Sequence, residues 1–170
     1  LEHTPYARLQ WRVLRTFGAL PNEARAREMT DRDFLWCALN LMLDDEEALD
    51  ALRRRGIPFG VVSSSWRWYV EHCLRELGMY EDAAVIVTGS DGLPLKPAPA
   101  PYQAAARVFR PAPPGAVLAV EDSGSGVRSA VAAGLACAAV YNPDSGAQDL
   151  SPARWRLNSL YELPALLDGN

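Results

Sequence analysis

Two acids stand side by side in the stretch "VLAVEDSGSGVRSAVAAG", Val117 to Gly134, with apolar residues before them and a small-residue loop after. The run Ala116 to Val120 reads as a buried strand and Ser123 to Gly126 as a turn into a helix, which sets Glu121 and Asp122 at a strand's carboxyl end. Ligands of open α/β sheets bind at that edge, and two carboxylates there suit a hard cation. Asp122 or Ser123 reads equally well as the cap of the following helix. Gly124 and Gly126 also begin a dinucleotide fingerprint, with Asp144 about the expected distance on. Ser129 replaces its third glycine, however, and the two carboxylates would repel a pyrophosphate unless a cation lay between them. A metal-assisted phosphate site fits the charges better.

Such a site needs carboxylates for the metal, hydroxyl and N–H donors for the phosphate oxygens, and a cation for the remaining charge. Ser63, Ser64 and Ser65 follow the apolar "GIPFGVV" and precede a helical pattern, so hydroxyls and successive N–H groups face the edge that carries the acids. Ser65 alone reads as a helix cap. Lys96 lies in "DGLPLKPAPAPY", directly before Pro97, and in isolation reads as a solvated surface charge.

The elements that must hold these groups alternate. Strands are expected near Ile57 to Val62, Ala84 to Thr88, Ala116 to Val120 and Ala136 to Tyr141, and a weaker one near Trp155 to Leu157. Helices are expected over Trp66 to Leu77, Pro101 to Phe109, Gly126 to Ala133 and Leu160 to Leu167. This alternation predicts a parallel α/β sheet flanked by helices. Up to about Asp44 the pattern is helical instead, with Leu9, Val13, Leu14 and Phe17 on one face, so residues 1–44 are expected to form a small helical lobe and residues 45–170 the α/β core.

Composition bounds the function. The chain has 170 residues, 49% of them hydrophobic, enough for one substantial core. A net charge of -4, with basic residues scattered among acids, leaves no footprint for nucleic acid or an anionic membrane. No apolar run approaches the ~20 residues of a spanning helix. Three cysteines without Cys-x-x-Cys spacing suggest neither a zinc site nor a disulfide framework, and the cytoplasm is the default compartment.

Taken together, "ALRRRGIPFGVVSSS", "VTGSDGLPLKPAPAPY" and "VLAVEDSGSGVRSAVAAGLACAAV" resemble, in order and spacing, the haloacid dehalogenase-like superfamily, in particular its beta-phosphoglucomutase and phosphoglycolate phosphatase branch. The resemblance spans about Asp45 to Leu167. It implies a Rossmann-like core with a partial helical cap, Mg2+ as cofactor, and a small phosphorylated metabolite as substrate. It implies Ser63 and Ser64 as phosphate-binding residues, Lys96 as the lysine that neutralises phosphate and nucleophile, and Glu121 and Asp122 as metal-side acids, Asp122 the safer ligand.

The chain departs from the family in three places. Ala100 stands where relatives carry an aspartate, which removes a helix cap. Trp66 and Trp68 are unusually bulky and are expected to pack in the core, with narrowing of the pocket as the alternative. Most importantly, the strand ending in Asp-x-Asp-Gly that bears the family's nucleophile has no match; Asp31 and Asp33 are the only Asp-x-Asp and read as a helix start. In relatives that strand lies between those bearing the serine and the acid pair, so its loss would strip two inner edges of their partners. The expectation is a truncated phosphatase that works through an aspartyl-phosphate. A non-catalytic relic and a sugar phosphomutase are the alternatives.

Overall fold

The computed structural model describes residues 45–76, 78–109, 116–142 and 147–168. The expected helical lobe, with Asp31 and Asp33, lies outside these residues. In chain order the elements are α1 (Asp45–Arg55), β1 (Phe59–Val62), α2 (Arg67–Glu76), β2 (Ala83–Val87), α3 (Ala100–Val108), β3 (Leu118–Glu121), α4 (Gly124–Ala132), β4 (Ala136–Val140), β5 (Trp155–Leu157), a 3-10 turn (Leu160–Glu162) and α5 (Leu163–Leu167). Glu121 is itself the last residue of β3 rather than the first beyond it.

Local signals place the helix ends. Helix α1 ends in Arg53, Arg54 and Arg55, cations suited to the negative end of the helix dipole. Gly56 then turns out at φ +63°, and the Ile57 N–H reaches back to the Leu52 carbonyl at 3.0 Å, closing the end as a Schellman motif. Helix α3 starts after Pro99 without a side-chain cap, in keeping with Ala100 in place of a capping acid.

Every ladder is parallel: β1 pairs with β2, β3 with β4, and β4 with β5. The described residues form the expected parallel, helix-flanked strands as two sheets, β1–β2 and β3–β4–β5, and no ladder joins β1 to β3. The physical reason is the one that the motif order suggests: nothing among the described residues supplies a strand for the edges of β1 and β3.

Alternation along the strands brings helices to both faces, as a doubly wound layer requires. Phe59, Val61 and Ile86 pack with Val70, Leu74 and Met79 on the α2 side. Val62 points the other way, into a core made by Tyr102 of α3, Val127 and Ala130 of α4, and Ala119, Cys137 and Ala139. Ala138 and Leu157 pack with Leu163 on the α5 side. Helix α3 touches β1, β2 and α4, and so links the two sheets. No helix among the described residues is long and apolar enough to cross a membrane.

The two tryptophans overturn an expectation. Trp66 is 57% exposed and Trp68 51%, so neither is core. Trp66 directly precedes α2, and the core-facing places of that helix go instead to Tyr69, Val70 and Leu74.

Candidate active site

The carboxyl ends of β1, β3 and β4 bring the chemistry-bearing residues to one edge. Ser63 continues β1, its N–H bonded to the Val87 carbonyl at 2.9 Å. Its Oγ accepts the Ser65 N–H at 3.1 Å, folding the three serines into a tight turn. Helix α2 begins two residues past Ser65, and its first N–H, that of Arg67, is accepted by Ser90 Oγ at 3.0 Å. Arg67 grips Asp91 with Nη2 at 2.7 and 2.8 Å, which locks the start of α2 to the exit of β2 and holds the Asp91 carboxyl below its ordinary range. Gly89 makes this approach possible, since a Cβ there would stand 2.3 Å from the Ser64 carbonyl oxygen.

Lys96 is the only lysine in the chain; the other sixteen of its 17 basic residues are arginines. Its side chain is 9% exposed and reaches from the loop after β2 to both sheets. Nζ donates to the Val62 carbonyl at the end of β1, at 2.9 Å, and pairs with Glu121 Oε1 at the end of β3. The lysine thus bridges β1 and β3, which share no ladder among the described residues, at the edge where the site lies. Ser129, the residue that broke the dinucleotide fingerprint, has a structural use here: from the middle of α4 its buried Oγ donates to the Ala98 carbonyl at 2.6 Å, fixing the lysine loop.

The small-residue loop after the acid pair now has a physical account. Ser123 is the N-cap of α4, its Oγ accepting the Gly126 N–H at 3.0 Å. Its hydroxyl also donates to Glu121 Oε2 at 3.1 Å. Gly126 leaves the space that the Glu121 carboxylate fills, beside the positive end of α4. Tyr102, buried on α3, donates its hydroxyl to Glu121 Oε1 at 2.5 Å. Burial, and then the Glu121 charge, raise the Tyr102 pKa well above its ordinary value, so the phenol stays a donor. Both Glu121 oxygens are therefore committed to this chain's own donors.

Asp122 is free of the capping duty. Its Oδ2 is buried without a hydrogen-bond partner among the described residues. Burial, and next the neighbouring Glu121 charge, push its carboxyl up to about 7; Lys96 and a hydrogen bond from the Asn142 side chain pull the other way. Asn142, buried just past β4, was not singled out in the sequence, where an Asn before Pro143 reads only as a turn. Tyr102 likewise reads only as a core aromatic.

An orphaned, buried carboxylate oxygen is a group that a divalent cation satisfies. No cluster of three or more His, Cys, Asp or Glu occurs among the described residues. That is compatible with magnesium, which is commonly held by one or two carboxylates together with water and phosphate oxygens. Of the two acids, Asp122 fits that part, and Glu121 is turned to the lysine.

The chain belongs to the haloacid dehalogenase-like hydrolases: the model of that family matches residues 9–134. It is 36% identical over 126 residues to YhcW of Bacillus subtilis, a candidate phosphatase, a match covering 72% of this chain and 56% of that protein. It is 31% identical to the validoxylamine A 7'-phosphate phosphatase of Streptomyces hygroscopicus over 64% of this chain and 55% of that one. The phosphoglycolate phosphatase of Pectobacterium atrosepticum is 32% identical over 72% and 55%. The chain thus spans about half the length of the curated relatives it matches. Among solved structures, CbbY of Rhodobacter sphaeroides in complex with phosphate superimposes with a TM-score of 0.66 at 26% identity, over 85% of this chain and 67% of that one.

Proposed function

We propose that this chain carries the phosphate-binding and metal-binding side of a magnesium-dependent phosphatase that acts on a small phosphorylated metabolite. One observation carries the reading: a single buried lysine, held between the ends of β1 and β3, stands beside an acid pair of which one member keeps an unpartnered oxygen. The names of the relatives, two of them phosphatases of phosphorylated small molecules, support it.

In this account Ser63 and Ser64, in the turn after β1, hold the phosphate oxygens, and Lys96 offsets their charge. Asp122 would hold the magnesium ion, which when bound would supply charge withdrawal from the phosphate and screening from the acids. Asn142 holds the Asp122 side chain in place for that purpose. The attacking carboxylate is neither Glu121, whose oxygens are engaged, nor Asp122, which serves the cation. A strand seated between β1 and β3 would pair both open edges and bring its own carboxylate to the same edge as Ser63 and Asp122. That carboxylate forms a bond to phosphorus as the ester bond breaks, and the leaving oxygen takes a proton from the second aspartate of the Asp-x-Asp pair and departs as the alcohol. Water then cleaves the acyl phosphate and releases inorganic phosphate. Hydrolysis is preferred to mutase chemistry because the curated relatives named above are phosphatases.

The test is magnesium-dependent phosphate release from an aryl phosphate, by the 170-residue chain and by the chain extended with an Asp-x-Asp-Gly strand ahead of Leu1. Turnover that needs the extension and falls at least 100-fold in Asp122→Asn supports the reading. Turnover by the unextended chain that is abolished in Asp122→Asn supports the phosphatase and moves the nucleophile to Asp31. Turnover indifferent to magnesium and to Asp122 contradicts it.

A further inference from the structure

We infer that Tyr102 is a positioning residue, which sets the Lys96 ammonium by fixing the Glu121 oxygen that the lysine grips. The inference deepens the phosphatase reading and takes from it the purpose of the lysine; the geometry stands on its own.

An ammonium has three N–H donors. In Lys96 one goes to the Val62 carbonyl and one to Glu121 Oε1, and no further hydrogen bond of Nζ occurs among the described residues. With two of three tetrahedral directions committed, the third is determined, and it remains for an incoming phosphate oxygen. Its aim is only as sharp as the position of Oε1. A carboxylate at the end of a glutamate side chain can rotate about its last bond, which carries a broad torsional well. Tyr102 removes that freedom: its hydroxyl donates to the same Oε1 at 2.5 Å, while Ser123 holds Oε2 at 3.1 Å. The phenol ring also lies beneath the ammonium, with Nζ 5.1 Å from its centroid, so the ring face adds a weak attraction to the hydroxyl's indirect hold. The tyrosine has a rigid seat, since α3 packs on both β1 and α4 and the ring is buried in the core between them.

Ring and hydroxyl are separable. Tyr102→Phe keeps the packing and the ring face and deletes only the bond to Oε1. Lys96 being the only lysine, protein labelled with 13C and 15N in lysine gives one side-chain ammonium signal, read without phosphate or magnesium. The expected wild-type signal is a slowly exchanging ammonium displaced from the position of free lysine. In Tyr102→Phe it moves toward that position and exchanges at least tenfold faster. Glu121→Met gives at least a comparable change, and adding Tyr102→Phe to Glu121→Met changes nothing more, because the acceptor through which the tyrosine acts is gone. An unaltered lysine signal in Tyr102→Phe overturns the inference, as does a further change of the same size in the double variant. Should Tyr102→Phe fail to fold, Glu121→Met with and without Tyr102→Trp, which retains a ring and a shifted donor, supplies the same comparison. A final addition of inorganic phosphate with magnesium bears only on the phosphatase reading: no response of the wild-type lysine counts against that reading and leaves the positioning result as measured.

Discussion

The Glu121 carboxylate occupies the space that a side chain on Gly126 would need: a Cβ built there would lie 1.9 Å from Oε2 and 2.3 Å from Oε1. A flexible acid could swing aside, but this one is held by Lys96, Tyr102 and Ser123. Gly126→Ala is therefore expected to break several buried hydrogen bonds at once and cost roughly 2–4 kcal/mol. Denaturant unfolding measures this, with Gly134→Ala as comparison; Gly134 has φ +80° but open space around a Cβ, so its cost is backbone strain alone, about 1–2 kcal/mol.

Lys96 and Glu121 form a buried pair, with side chains 9% and 6% exposed. Removing one member leaves the other charged and unmatched, which costs about 3–5 kcal/mol in such surroundings, whereas removing both costs far less. Lys96→Met is thus expected to be strongly destabilised and Lys96→Met with Glu121→Gln to recover at least half of the loss. A double variant destabilised in urea by the sum of the Lys96→Met and Glu121→Gln losses would show that the pair is not coupled.

Asp122 gives the chain a pH dependence of definite sign. Its folded pKa, about 7, lies above the ordinary carboxylate value, so between about pH 4 and 7 the folded state holds a proton that the unfolded state has lost. The stabilising contribution is complete below about pH 4 and is lost as pH rises through 7. Metal-free protein is expected to lose melting temperature across this window, and Asp122→Asn to flatten the profile. Magnesium, which binds the ionised carboxylate, is expected to raise the melting temperature more at pH 8 than at pH 5, an increment absent from Asp122→Asn.

Gly89 admits the serine turn. A Cβ on Gly89 would meet the Ser64 carbonyl oxygen at 2.3 Å and its carbon at 3.0 Å, both backbone atoms that cannot move without displacing the turn. Gly89→Ala is expected to weaken phosphate binding at least tenfold, while Gly92→Ala, whose Cβ meets nothing within 4 Å and whose φ of +69° costs backbone strain alone, lowers stability but leaves binding nearly unchanged. Calorimetric titration with inorganic phosphate compares the two.

The strand ends and the loop that carry the proposed site residues were legible in the sequence. Ser63, Lys96, Glu121 and Asp122 each follow an apolar run or sit in a proline-fixed loop, and strand ends are where such a fold collects its ligands. The helix cap at Ser123 was one of two local readings, and the structure selects it over Asp122. What a sequence does not print is which donor meets which acceptor across the fold. Tyr102 and Asn142 have ordinary local readings, and their link to the acid pair arises only when α3 and the end of β4 pack around β3. Trp66 and Trp68 were misjudged because bulk alone suggested burial, whereas the helix spends its inward positions on Tyr69, Val70 and Leu74. The division into two sheets could be anticipated from the order of the motifs, since the strand that would separate β1 from β3 has no counterpart there.

The most direct measurement is the binding of inorganic phosphate by calorimetry, with and without magnesium, to the wild-type chain, Asp122→Asn and Lys96→Arg. The arginine keeps the charge while losing the compact three-donor ammonium. The account predicts that wild type binds phosphate only with magnesium, that Asp122→Asn loses the magnesium requirement together with most of the affinity, and that Lys96→Arg binds at least tenfold more weakly. Phosphate binding of equal strength in all three proteins, unchanged by chelating the metal, would contradict it.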